Sequence, residues 1–175
     1  MRDAPTRRRL VLLRHARAEY GGLSDDKRAL SPVGRRQAAE VGASLAGANL
    51  TPDVVLCSSA LRTRQTCEIA SSAWGGTGEL VVTDELYVGG VSGALAVISE
   101  APAYARTLLV VGHEPVMSGV AAVLAGGGSD SGALARVRSG VPVGAYSVLD
   151  VASSWSELRA GSAALHQVVV PAHVL

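Results

Sequence analysis

The feature that most constrains this chain is a recurring pair: a short unbroken apolar run, then a stretch with apolar residues at helical spacing. Leu10-Val11-Leu12-Leu13 opens the series, and Val54-Val55-Leu56-Cys57, Leu80-Val81-Val82 and Leu108-Leu109-Val110-Val111 continue it. A strand with one wet face alternates apolar and polar residues, so a continuous run reads as a strand covered on both faces. After the first run, Ser31-Pro32 offers an N-cap followed by proline at the first helical position. Gly34, Ala38, Val41 and Leu45 then follow at helical spacing, ending near Gly47. Ser59 is placed to cap a second helix through about Ala73, and residues 94–100 read as a short helix. Glu114-Pro115 opens another helix, with Val116, Val120, Val123 and Leu124 on one face. This alternation predicts an α/β fold, a three-layer α/β/α sandwich around a mostly parallel sheet. The end differs in kind: residues 146–151 and 165–170 read as strands joined by a short polar turn, an antiparallel hairpin at the sheet edge.

A length of 175 residues fits one domain with its own core, taken as residues 9–175 behind a basic tail, residues 1–8. Arg2, Arg7, Arg8 and Arg9 make the start of the chain basic, and the expected role of the short tail is a solvated end. The glycine-rich stretch Gly126-Gly127-Gly128-Ser129-Asp130-Ser131-Gly132 reads as a mobile surface loop, too near the end to link a second domain. Aromatic residues are only 3% of the chain and Phe is absent, so the core must rely on Val, Leu and Ala. That composition lacks a stacking platform for single-stranded nucleic acid. A net charge of +1 points to neither a nucleic-acid nor a membrane partner. No run approaches the ~18 apolar residues of a membrane span, and the first residues lack the apolar centre of a secretion signal, so the expected location is cytoplasmic. Cys57 and Cys67 are too few for a disulfide framework or a zinc site and read as small core residues. His166 and His173, near the end, read as background, and no cluster has metal-ligand spacing.

In open parallel sheets the carboxyl ends of the strands share one rim, and ligands bind there. The first strand ends in Arg14-His15-Ala16 and the second in Ser58-Ser59-Ala60-Leu61-Arg62. The third ends in Asp84-Glu85 and the fourth in Gly112-His113-Glu114-Pro115. Arginine holds phosphate oxygens bidentately and cannot lose its charge. Neutral histidine is a nucleophile near pH 7, and its phosphorylated form is labile to water. Arg62 falls in the first turn of its helix, where free amides and the helix dipole favour anions, with Gln65 and Thr66 on the same face. The inventory therefore suits phosphoryl transfer, which asks mainly for positioning and charge neutralisation.

In this order, Leu12-Leu13-Arg14-His15-Ala16, Ser58-Ser59-Ala60-Leu61-Arg62-Thr63-Arg64-Gln65-Thr66 and Val111-Gly112-His113-Glu114-Pro115 resemble the motifs of the histidine phosphatase superfamily. That superfamily includes the phosphoglycerate mutases. Arg28-Ala29-Leu30-Ser31-Pro32-Val33-Gly34 brings the resemblance closer to its small SixA-like branch, the phosphohistidine phosphatases. The likeness runs from about Leu10 to Val170. It implies a phosphoglycerate mutase-like fold and hydrolysis of a phosphoramidate or phosphomonoester through phospho-His15, with no metal or organic cofactor. It implies that Arg14 and Arg62 hold the phosphate oxygens, that His113 is a further hydrogen-bond donor, and that Arg28 is a neighbour in the substrate site. Glu85, or else Asp84, stands where larger members carry a proton donor. The implied substrate is a phosphorylated protein or a small phosphorylated molecule. Two features depart from the pattern: Ala16 replaces the usual glycine, and residues 72–79 are short, leaving little to build a lid. The alternatives are a phosphatase of sugar or nucleoside phosphates and, in a different class, a non-catalytic phosphate-binding module. The latter would have no need for a nucleophile, and mutase activity would need a closed site that this chain is too short to build.

Overall fold

The computed structural model describes residues 7–22 and 24–172; the expectations for residues 1–6 of the tail and for His173 fall outside them. Six strands form one sheet among these residues: β1 (Arg8–Arg14), β2 (Val54–Ser58), β3 (Glu79–Thr83), β4 (Thr107–Gly112), β5 (Tyr146–Val151) and β6 (Ala163–Val169). Arg8, counted with the tail by sequence, already belongs to β1. The helices are α1 (Pro32–Gly47), α2 (Leu61–Ser71), α3 (Glu85–Val88), α4 (Gly90–Ser99), α5 (Val116–Leu124) and α6 (Ser131–Ser139). The strand order is β3-β2-β4-β1-β5-β6. β3, β2, β4 and β1 run parallel, while β5 is antiparallel to β1 and β6 antiparallel to β5.

The period of two along a strand explains the three layers. Leu10, Val11, Leu12 and Leu13 are at most 1% exposed because both faces of β1 are covered. Val11 and Leu13 pack with Val41 and Leu45 of α1, whereas Leu10 and Leu12 pack with Ile98 of α4 and Leu124 of α5. β3 has an equally apolar sequence but lies at the open edge, where Leu80 is 56% and Val82 45% exposed. Continuous apolarity therefore locates a strand here without telling centre from edge. Cys57 and Cys67 are both buried among the α1–α2 face of the core.

Ser31 caps α1 as expected, its hydroxyl accepting from Gly34 N at 3.0 Å. Gly34 has no room for a side chain: a Cβ there would collide with the Arg17 carbonyl of the segment leaving β1. Ser59 does not cap α2. The chain stays with the sheet for one residue more, Ser59 N donating to Thr83 O, and the helix starts at Leu61 after Ala60. Two expectations for the last third are also corrected. Ser131 and Gly132 belong to α6, capped by Asp130, whose side chain accepts from Ala133 N. The preceding loop is pinned to β6 at both ends, Gly126 N donating to Ala163 O and Asp130 N to Leu165 O. The link between β5 and β6 is no short polar turn. It contains a 3-10 turn, Trp155–Glu157, with Trp155 buried and its indole N–H on Ala105 O at 2.9 Å.

Candidate active site

Parallel register brings the key residues together. Arg14 at the end of β1 lies opposite Gly112 at the end of β4, so the next residue of each strand, His15 and His113, emerges beside the other. Their ring centroids are 5.3 Å apart. Ser58 ends β2 on the other side of β4, and Arg62 enters from the first turn of α2.

His15 is buried, and its Nδ1 lies 2.7 Å from the Ala16 carbonyl oxygen. A carbonyl only accepts, so Nδ1 carries the proton and Nε2 keeps its lone pair. Arg62 Nε donates to that Nε2 at 3.3 Å. Burial, chiefly, pushes the His15 pKa down to about 3; the His113 ring and the charges of Arg62 and Arg14 add to it, against the favourable Ala16 hydrogen bond. The ring is thus neutral near pH 7. Ala16, at the position of the family's glycine, is fully buried, and its N–H donates to Thr66 Oγ1 at 3.1 Å. Thr66 Oγ1 in turn donates to the Arg62 carbonyl, tying the segment after His15 to α2.

His113 Nδ1 accepts from Arg62 Nη2 at 3.2 Å, which leaves its proton on Nε2, donated to Ser58 Oγ at 2.8 Å. Burial, with Arg62 second, lowers its pKa to about 4. Arg14 Nη1 donates to Val141 O at 2.7 Å, while its buried Nε has no partner. Val141 is itself held, because its N–H donates to Glu114 Oε2, and the Glu114 carboxylate also accepts from the N–H and hydroxyl of Ser118. Glu114 therefore braces the carbonyl that aims Arg14.

Arg28 reaches this group only through a carboxylate that sequence reasoning missed. Asp25, in the 3-10 turn Asp25–Lys27, accepts from Arg62 Nη2 on Oδ2 at 3.0 Å and from Arg28 Nη1 on Oδ1 at 3.1 Å. Its main-chain carbonyl accepts from Arg62 Nη1 at 2.8 Å. Tyr87 Oη donates to Asp25 Oδ2 at 2.6 Å, and the Tyr87 ring stands edge-on to His113 with centroids 5.5 Å apart. The Tyr87 hydrogen bond first, then those from Arg28 and Arg62, hold the Asp25 carboxyl well below the usual carboxylate range. A sequence signal existed for both residues. Asp25 stands three positions before Arg28, and Tyr87 is an aromatic residue just past the third strand in a chain with few aromatics.

Glu85 and Asp84 are exposed. The Glu85 carboxylate is turned onto the α3–α4 junction, where Oε1 fills the space a Cβ on Gly89 or Gly93 would need, and no hydrogen bond joins it to His15, Arg14, Arg62 or His113. His166 lies on β6. No group of three or more His, Cys, Asp or Glu among the described residues could hold a metal ion, and no helix among them is long and apolar enough to cross a membrane.

Two arginines and two neutral histidines thus gather at the carboxyl rim of the parallel sheet of a phosphoglycerate mutase-like α/β fold, a set of groups chemically suited to holding a phosphoryl group. Comparison with known proteins agrees. Residues 10–87 match the model of the histidine phosphatase superfamily (branch 1). The chain is 35% identical over 161 residues to an uncharacterised protein of Mycobacterium tuberculosis, covering 91% of this chain and 99% of that one. Among solved structures, a candidate phosphohistidine phosphatase SixA from Nakamurella multipartitia is 37% identical with a TM-score of 0.85, covering 95% of this chain and 97% of that one. A second such candidate, from Agrobacterium tumefaciens, is 28% identical with a TM-score of 0.76, covering 94% and 98%. The chain belongs to the histidine phosphatase superfamily, as one of its SixA-like phosphatases.

Proposed function

We propose that this phosphatase hydrolyses phosphohistidine on a protein through a covalent phospho-His15 intermediate. The observation that carries the reading is the His15 tautomer. With Nδ1–H committed to the Ala16 carbonyl, Nε2 presents a lone pair beside the Arg62 guanidinium. That lone pair attacks phosphorus while Arg62 and Arg14 neutralise the equatorial oxygens. The two N–H groups that Arg62 now gives to His15 and His113 turn to phosphate oxygens, and the unpartnered Arg14 Nε–H gains an acceptor. An arriving dianion raises the His113 pKa. Its Nδ1 then takes up a proton and becomes a donor to phosphate, the role implied by the family motifs. Water discharges phospho-His15, and the P–N electron pair returns to Nε2. Every step is served by groups of the chain itself, so the reading includes no metal or organic cofactor.

The choice of phosphohistidine follows from the acid the site lacks. An alkyl phosphate expels an alkoxide unless a group protonates it, help commonly worth ~10²–10⁴-fold. The carboxylate hydrogen-bonded into this pocket is Asp25, held ionised, while Glu85 is turned onto Gly89 and Gly93. Imidazole, with a conjugate acid near pKa ~6.5, leaves with far less help. The test is kcat/KM of the wild type on phosphohistidine and on a sugar phosphate, side by side. Phosphohistidine should be clearly preferred, and Glu85→Gln, whose carboxylate is turned away from the pocket, should leave both rates nearly unchanged. A clear wild-type preference for the alkyl phosphate would replace this reading with that of a small-metabolite phosphatase.

A further inference from the structure

Asp25 has more hydrogen-bonding capacity than its partners use. An ionised carboxylate offers about four lone-pair sites on its two oxygens. Arg62 and Tyr87 occupy Oδ2, and Arg28 occupies one site on Oδ1. A site on Oδ1 therefore remains open, on a side chain that is 52% exposed and so reachable from solvent. The carboxylate lies across the width of one guanidinium from the nucleophile, since the same Arg62 touches His15 Nε2 through Nε and Asp25 through Nη2. The Tyr87 ring flanks the same space and packs against His113. A negative charge at the mouth of a phosphate site works against an anionic ligand, and here it is offset by Arg62 and Arg28.

We infer that Asp25 binds the leaving imidazole of a phosphohistidine substrate through that ring's far N–H, and so selects P–N over alkyl P–O bonds. The inference rests on the reading of His15 and substrate class above. Proton bookkeeping makes the carboxylate the right group. A phosphohistidine protonated on its far nitrogen has the same charge and proton count as phospho-His15 with its Nδ1–H. His15 Nε2 forms a bond to phosphorus, the substrate's P–N bond breaks, and its electron pair stays on the departing nitrogen. The substrate leaves as neutral imidazole, still carrying the far N–H, and no proton moves in the step. The two rings are held alike: Nδ1–H of His15 on the Ala16 carbonyl, and the substrate's far N–H on Asp25. For an alkyl phosphate the same carboxylate is unhelpful, because it has no proton to give.

The experiment compares free phosphohistidine with p-nitrophenyl phosphate, whose leaving group has no ring N–H, in the wild type and Asp25→Asn. Both substrates need Arg62, so a loss caused only by a misplaced Arg62 should strike them equally. The ratio of kcat/KM values, phosphohistidine over p-nitrophenyl phosphate, should fall about tenfold or more, as expected for loss of a hydrogen bond to a charged group. Asp25→Ser, which also lacks the carboxylate, should shift the ratio the same way and keeps the test open if Asp25→Asn folds poorly. An unchanged ratio in the variants would overturn the inference, leaving Asp25 as a positioning residue for Arg62 and the phosphohistidine reading intact. A wild-type preference for alkyl phosphate would remove that reading instead, whatever the ratio does.

Discussion

His15 should make the protein's stability fall on mild acidification. Its folded pKa of about 3 is set chiefly by burial, against ~6.5 for an unfolded histidine. A depressed histidine pKa means that the unfolded chain takes up a proton the folded chain refuses. Stability from this group is therefore full above the unfolded pKa and is lost as pH falls from ~6.5 towards the folded value. At ~1.4 kcal/mol per pKa unit, the 1.5 units between ~6.5 and pH 5 cost about 2 kcal/mol. His113, lowered to about 4, acts in the same direction, but its ring is more exposed and better screened, so its share is smaller. Asp25 contributes almost nothing in this window, because its carboxyl is ionised in both states above pH 5. For a domain of this size 2 kcal/mol corresponds to roughly 4–8 °C in Tm. Thermal melts in phosphate-free buffer at pH 7.5 and pH 5 should show the wild type losing about that much more than His15→Asn. Only the difference between the two pH values matters, so any uniform effect of the substitution cancels. If His15→Asn loses as many degrees as the wild type, the burial argument for a neutral nucleophile is wrong.

Arg62→Ala removes the guanidinium that links His15, His113 and Asp25, and should cost ~10³-fold or more in kcat on phosphohistidine and p-nitrophenyl phosphate alike, as for other arginines at a transferring phosphoryl group. A loss under tenfold, measured by steady-state kinetics, would remove Arg62 from the phosphate site. Glu114→Gln unsettles the Val141 carbonyl that aims Arg14 and should lower kcat/KM about tenfold with a far smaller effect on Tm. Unchanged kinetics would show that Arg14 is held without this brace.

The sequence carried the strands and the site better than the loops, for physical reasons. Strands covered on both faces must be apolar throughout, which made β1, β2 and β4 legible, and the strand-end rule then placed Arg14, His15 and His113 on one rim. β3 was legible as a strand but not as an edge, because sheet order is decided by long-range pairing. α6 went unread because only Ala133 and Val137 bury on it and a glycine run precedes it. Asp25 lies in a 3-10 turn with no period to detect, and its role exists only once that turn folds over Arg62, 37 residues further on. Ser59 looked like a cap because its type suits one, yet its N–H extends the sheet, and the hydroxyl next door, Ser58, serves His113.

The central claim is that His15 carries the phosphoryl group. Rapid acid-free quenching of the enzyme during turnover of labelled phosphohistidine, followed by peptide mapping, tests it directly. The account predicts acid-labile, alkali-stable phosphate on the peptide containing His15, approaching one per chain at saturating substrate where discharge limits turnover, and none in His15→Ala, which should also lose activity. Label on another residue, or a His15→Ala variant retaining more than a few per cent of wild-type turnover, would contradict it.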